Sequence, residues 1–154
     1  MPELAAVIGR EIELISRFLQ LLKDEQAALQ RIDPGPLPEI ASAKSPLVDQ
    51  LNNLEEERRR MIGLAVGENA RQAMEAWLTA HPGEKEIIRD WQTLLSLSTE
   101  AREQHQLNAG LVAMHLQQTN EALAILTRQP PQAELYGSDG QTSLRGSGRI
   151  VDSA

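Results

Sequence analysis

An all-α fold is predicted by three features of the sequence. The strong helix formers Ala, Leu, Glu, Gln and Arg dominate its 154 residues. Apolar residues recur at three- and four-residue steps over long stretches, the spacing of a buried helical stripe. No window alternates apolar and polar residues over the length of a strand. The expected architecture is an antiparallel helical hairpin, a short helix and one long C-terminal helix. Together they make a coiled-coil-like three/four-helix bundle with a flexible C-terminal tail.

The first helix is predicted from about Glu3 to Ile32. Leu4, Ile8, Ile12, Ile15, Leu19, Leu22, Gln26 and Leu29 form its stripe, widened by Val7, Leu14, Phe18 and Leu21. Asp33-Pro34-Gly35-Pro36 stops it, because proline cannot continue the hydrogen-bond ladder. The second helix is predicted from about Pro38 to Leu64, through Ile40, Ala43, Leu47, Leu51, Leu54 and Met61. Pro46 falls inside it and predicts a kink or a short irregular start; a fresh start capped by Ser45 is the other reading. The charged run Glu55 to Arg60 reads as a solvated face. Arg58, on the line from Leu54 to Met61, is expected to lay its stem on the core edge and its head in water.

Gly63, Gly67 and Asn69 mark a break, and a short helix from about Ala70 to Thr79 carries Met74, Trp77 and Leu78. His81-Pro82-Gly83 ends it. The fourth helix is predicted from about Glu84 to Thr127. At ~1.5 Å per residue it spans about 65 Å, longer than either hairpin helix. It should complete the bundle along one part and project beyond it. Its stripe turns polar between Ser98 and Asn108. Residues 1–128 are thus expected as a helical domain. Residues 129–154, rich in Pro, Gly, Ser and Gln, are expected as a tail that is disordered when free.

Composition excludes several function classes. Net charge is −7, and the cluster Arg58-Arg59-Arg60 directly follows Glu55-Glu56-Glu57, so no basic face for nucleic acid is visible. Cysteine is absent, which excludes disulfides and thiolate metal sites. His81, His105 and His115 form no i, i+4 pair and no Glu-x-x-His, so neither a metal nor another cofactor is expected. Phosphate-binding glycine loops and a nucleophile elbow are missing, so the chain is not expected to be an enzyme. No signal peptide and no apolar run near the ~20 residues of a membrane span is found, which makes the cytoplasm the expected compartment and excludes membrane insertion.

What remains is binding of other proteins. A projecting helix with Leu111, Val112, Leu116, Leu123, Ile125 and Leu126 could receive an amphipathic segment by helix-to-helix packing. Tyr136, the chain's only tyrosine, sits in the tail beside Gly137 and suits a docking anchor; a return of its ring onto helix four as a cap is the alternative. A self-associating coiled-coil scaffold is the competing class. Ser98, Asn108 and Gly110 break the heptad pattern such a scaffold needs, although a homo-oligomer stays open.

The segment Asn108-x-Gly110-Leu111-Val112, a proline break and the tail motif Tyr136-Gly137-x-Asp139-Gly140 follow one another in a characteristic order. Lys44, Leu47, Leu51, Leu54 and Arg58 add a repeating pattern in helix two. With these residues the chain resembles the FlgN family of flagellar export chaperones. The resemblance implies a cytoplasmic, non-enzymatic chaperone that holds the hook–filament junction proteins FlgK and FlgL and delivers them to the export-gate component FlhA. It implies substrate binding by Asn108, Leu111, Val112, His115, Leu116, Thr119, Leu123 and Leu126, and gate docking by Tyr136, Gly137 and Asp139. A FliT-like chaperone for another flagellar substrate is an alternative of the same class. Pro46 departs from the family pattern, and the tail beyond Gly140 matches nothing in it.

Overall fold

The computed structural model describes residues 1–63 and 69–127. Among them four helices and no strand are found: α1 Pro2–Gln30, α2 Leu37–Met61, α3 Ala70–Ala80 and α4 Lys85–Leu126. The expected helix order and fold class are the observed ones. The tail expected over 129–154 lies outside the described residues.

Helix ends follow local chemistry. At the end of α1 the Asp33 N–H donates to the Ala28 carbonyl at 3.0 Å and the Ile32 N–H to the Leu29 carbonyl at 3.2 Å. These are the two bonds of a Schellman cap, and Ile32 takes the left-handed position at φ 54°. Asp33 Oδ1 then accepts from the Gly35 N–H, turning the chain into α2. Gly63, at φ 73°, takes the equivalent left-handed position after α2. Asn69 caps α3, its side chain accepting from the Gln72 N–H at 2.9 Å. His81 closes α3 from the other end, its ring stacked on Trp77 with centroids 4.0 Å apart.

Pro46 neither starts a new helix nor opens an irregular stretch; α2 runs through it. The missing N–H leaves the Ser42 carbonyl without its usual donor. Ser42 and Pro46 are both exposed, so water can meet that carbonyl.

Cross-helix pairs set the directions. Glu11 meets Arg58 and Glu25 meets Lys44, so α1 and α2 are antiparallel. Leu4 and Ile8 pack in one buried cluster with Ile87 and Trp91, and Leu19 and Leu22 with Ala101, so α4 runs parallel to α1. Met74 and Leu78 of α3 complete the first cluster. Partly buried Phe18 flanks the second cluster, whose other members are aliphatic.

Arg58 corrects the expectation placed on it. Its head is not in water: Arg58 is 5% exposed and Glu11, its partner, 4%. Glu11 occupies a position of the α1 stripe between Ile8 and Ile15, which draws the guanidinium inward.

The chain divides into two units, Met1–Asn108 and Ala109–Ala154. Helix α4 contributes Lys85–Asn108 to the first and its remaining residues to the second.

Candidate functional site

In the first unit the dry core gives way to a polar layer. Asn108 is 3% exposed. Its Nδ2 donates to the Leu22 carbonyl and to Glu25 Oε1, each at 2.8 Å. Its Oδ1 accepts from Gln104 Nε2 at 3.1 Å, and the same nitrogen donates to Gln26 Oε1 at 2.9 Å. Lys44 of α2 donates to both oxygens of Glu25. Three helices therefore share one hydrogen-bonded layer. A buried amide with its partners satisfied costs little, whereas the same amide without them would be strongly unfavourable.

Asn108 also sits in a row of seven-residue steps along α4. Ile87, Leu94, Ala101 and Asn108 are buried, and counting on in sequence gives His115 and Ala122. An adjoining row runs Val112, Thr119, Leu126.

In the second unit the described residues are largely uncovered. Leu111 and His115 are half-buried. Val112, Leu116, Thr119, Leu123 and Leu126 are exposed, Val112 at 52% and Leu126 at 78%. At 100° per residue, Leu111, His115, Leu126, Thr119, Val112, Leu123 and Leu116 fall within an arc of about 140°. Seven of the eight residues expected to bind a substrate thus share one face of the helix. The eighth, Asn108, lies at the same angular position but has its side chain occupied by α1 and Gln104. The three residues expected to dock on the gate, Tyr136, Gly137 and Asp139, lie outside the described residues.

The stripe reading missed part of the apolar surface. Leu107 and Met114 are exposed and, with the already named Ile125, follow a second line beside the first, at steps of seven and eleven residues. The signal was present: a seven-residue step followed by eleven keeps a helical position nearly constant.

The other polar site of the first unit is the Glu11–Arg58 pair. Arg58 Nε donates to Glu11 Oε2 at 2.8 Å and Nη2 to Oε1 at 3.3 Å. Burial pushes the Glu11 carboxyl above its ordinary value; Glu55 adds to the shift, and the hydrogen bond and charge of Arg58 oppose it. Among the described residues no cluster of His, Asp or Glu could hold a metal ion. None of the described helices is long and apolar enough to cross a membrane.

A family model described as "FlgN protein" matches residues 1–144. Two curated relatives are similar along nearly their whole length. The flagella synthesis proteins FlgN of Salmonella typhimurium and of Salmonella typhi are each 25% identical over 154 residues, spanning 97% of this chain and 99% of theirs. No solved structure matches the chain significantly.

Proposed function

We propose that this chain, which belongs to the FlgN family, is a cytoplasmic flagellar export chaperone that holds FlgK and FlgL and hands them to the export gate. The observation that carries the reading is the apolar face of α4 after Asn108. Monomeric proteins rarely leave a contiguous apolar surface uncovered unless something binds it. Val112, Leu116, Leu123 and Leu126 are large, exposed and on one arc. A partner helix with an apolar face of its own would pack on them as knobs into the gaps between them. The relatives named for flagella synthesis supply the process in which such a partner is sought.

The substrate-binding set is Leu111, Val112, His115, Leu116, Thr119, Leu123 and Leu126, extended by Met114 and Ile125. The first five span two turns, and Leu123 to Leu126 a third. Thr119 and His115 place polar groups among the aliphatic ones, where they can fix the register of the partner. Tyr136, Gly137 and Asp139 form the gate-docking segment, with FlhA as its partner. Replacing Tyr136 by Ala should weaken gate binding by roughly 2 kcal/mol or more, the size of an interface hot spot, and leave FlgK and FlgL binding unchanged.

The test is co-purification of the tagged full chain with FlgK and FlgL. Retention of either supports the reading. Retention of copies of this chain alone would instead support the scaffold, and retention of a filament-cap protein a FliT-like chaperone.

A further inference from the structure

The apolar surface of the second unit is wider than one neighbouring helix can cover. At 100° per residue, every Leu, Val, Ile and Met of α4 between residues 109 and 126 falls in an arc of about 200°. Met114 and Ile125 stand at one edge and Leu116 and Leu123 at the other, with Leu111 and Leu126 between them. All four edge residues are exposed. Met114 points about 160° away from Leu116, and Ile125 about 160° away from Leu123. A helix packed on one edge is therefore on the far side of α4 from the other. A helix that buries a single face needs an apolar stripe of roughly 100°, and this segment carries about twice that.

The first unit supplies a yardstick on the same helix. There the buried and half-buried apolar residues of α4 run from Leu97 through Leu94 and Trp91 to Ile88, an arc of about 180°. Three helices cover it, with Leu4 and Leu22 from α1, Met61 from α2 and Met74 from α3 among the covering residues. An apolar arc of this width on α4 is thus closed by more than one helix.

Charge and symmetry narrow the choice of occupant. With His neutral, Glu121 is the only charged residue between 109 and 126. It lies just outside the arc and accepts from Gln117 Nε2 at 3.4 Å. The covering surface is then itself apolar and needs no counter-charge. The same segment of a second copy would bring one helix to each α4 and leave one edge open. Two segments on one polypeptide cover both edges, and docking of the first raises the effective concentration of the second. We propose that α4 beyond Asn108 is clasped by two amphipathic helical segments of a single partner polypeptide, one on the Met114–Ile125 edge and one on the Leu116–Leu123 edge. This rests on the chaperone reading and adds to it that the substrate engages the helix from two sides.

The experiment places the photo-cross-linking residue benzoylphenylalanine at Met114 or at Leu116 of the full chain and adds purified FlgK or FlgL. Peptide mapping should put the two positions against two non-overlapping segments of the same captured protein. The paired replacements Met114→Glu with Ile125→Glu, and Leu116→Glu with Leu123→Glu, should each lower capture at least tenfold while the far-UV helical signal is kept. Cross-links from both positions to one segment overturn the proposal and leave the chaperone reading standing. So does unchanged capture by the Met114→Glu, Ile125→Glu variant, or a cross-link from one edge to this chain itself, whether to its own residues 128–154 or to a second copy. A glutamate pair that loses the helical signal makes that edge part of a core and overturns the proposal as well. Capture of neither protein by the parent chain removes the chaperone reading, and the proposal with it.

Discussion

Arg58 and Glu11, separated by 47 residues in sequence, make a two-pronged hydrogen-bonded ion pair between α2 and α1, with Nε to Oε2 at 2.8 Å and Nη2 to Oε1 at 3.3 Å. Both side chains are nearly fully buried. Such a pair offsets its own desolvation only while both partners are present. Glu11→Leu, which leaves the Arg58 guanidinium without its acceptors, and Arg58→Met should therefore each destabilise the fold, by about 3–5 kcal/mol for a buried group left without its partner. The double replacement Glu11→Leu with Arg58→Met should come back to near the stability of the parent. Urea denaturation of the three variants measures this. A double variant as unstable as the sum of the singles would show that the pair is more than a mutual neutralisation.

The same pair gives a pH dependence. Glu11 has a folded pKa above its ordinary 4.5, so the folded state holds this proton more tightly than the unfolded chain does. Its contribution is then most favourable below 4.5 and is lost as pH rises through the folded value. Glu11→Gln removes this titration. The stability of the parent relative to Glu11→Gln should fall as pH is raised from 4.5 and level off once Glu11 is ionised in both states. A difference that rises over that window would mean that the Arg58 interaction outweighs burial.

Ile32 is a β-branched residue held in the left-handed region at the end of α1, where glycine is the usual occupant. It is 71% exposed, so packing offers little in return. Ile32→Gly should stabilise the protein by about 1 kcal/mol, the cost of that conformation for a side chain. Gly9 presents the opposite case. It lies inside α1, and a Cβ built on it meets nothing within 4 Å. Gly9→Ala should add about 0.5–1 kcal/mol. Thermal unfolding of the two variants, alone and combined, should show two upward shifts that add, since the sites are far apart in α1.

The helices were legible because their signals are local. Apolar steps of three and four residues, Asp33-Pro34-Gly35-Pro36 and His81-Pro82-Gly83 fix where each helix runs and stops. The Schellman cap on Ile32 was not legible, because it puts an isoleucine where the local rule expects glycine. Arg58 departs from expectation for a different reason. Its own neighbours on α2 put it on the stripe, but whether its head stays in water depends on Glu11, far off in sequence. The hint lies in α1, where an acidic residue stands between Ile8 and Ile15 on a stripe that is otherwise apolar from Leu4 to Leu22. Asn108 repeats the pattern. Its row with Ile87, Leu94 and Ala101 is visible in sequence, but the Leu22 carbonyl and Glu25 that receive its amide are not. The arc from Leu111 to Leu126 could be read in sequence, since it needs only helical spacing, although the exposed Met114 beside it was missed.

Asn108 can be tested for the role its burial gives it. Asn108→Ala removes two bonds to α1 and leaves Gln104 and Glu25 short of a partner, which should cost about 1–3 kcal/mol. It should leave capture of FlgK or FlgL unchanged at a temperature where the variant is folded. Unchanged stability with weakened capture would make Asn108 a contact of the substrate instead.

Leu123 separates a binding face from a core most cleanly. It is 48% exposed and sits on the apolar arc between Val112 and Leu116. An exposed position away from caps and buried networks usually tolerates substitution within about 0.5 kcal/mol. Leu123→Glu should therefore keep the urea midpoint and the far-UV helical signal of the parent. On the bound face the same carboxylate would be forced against an apolar partner with nothing to pair with it. Capture of FlgK and FlgL should then fall by at least tenfold, the effect of roughly 1.4 kcal/mol. Leu22→Glu, in the buried cluster with Leu19 and Ala101, provides the contrast and should unfold the bundle. If Leu123→Glu unfolds like Leu22→Glu, Leu123 is part of a core. If it folds and still captures both proteins, the face of α4 is not where they bind.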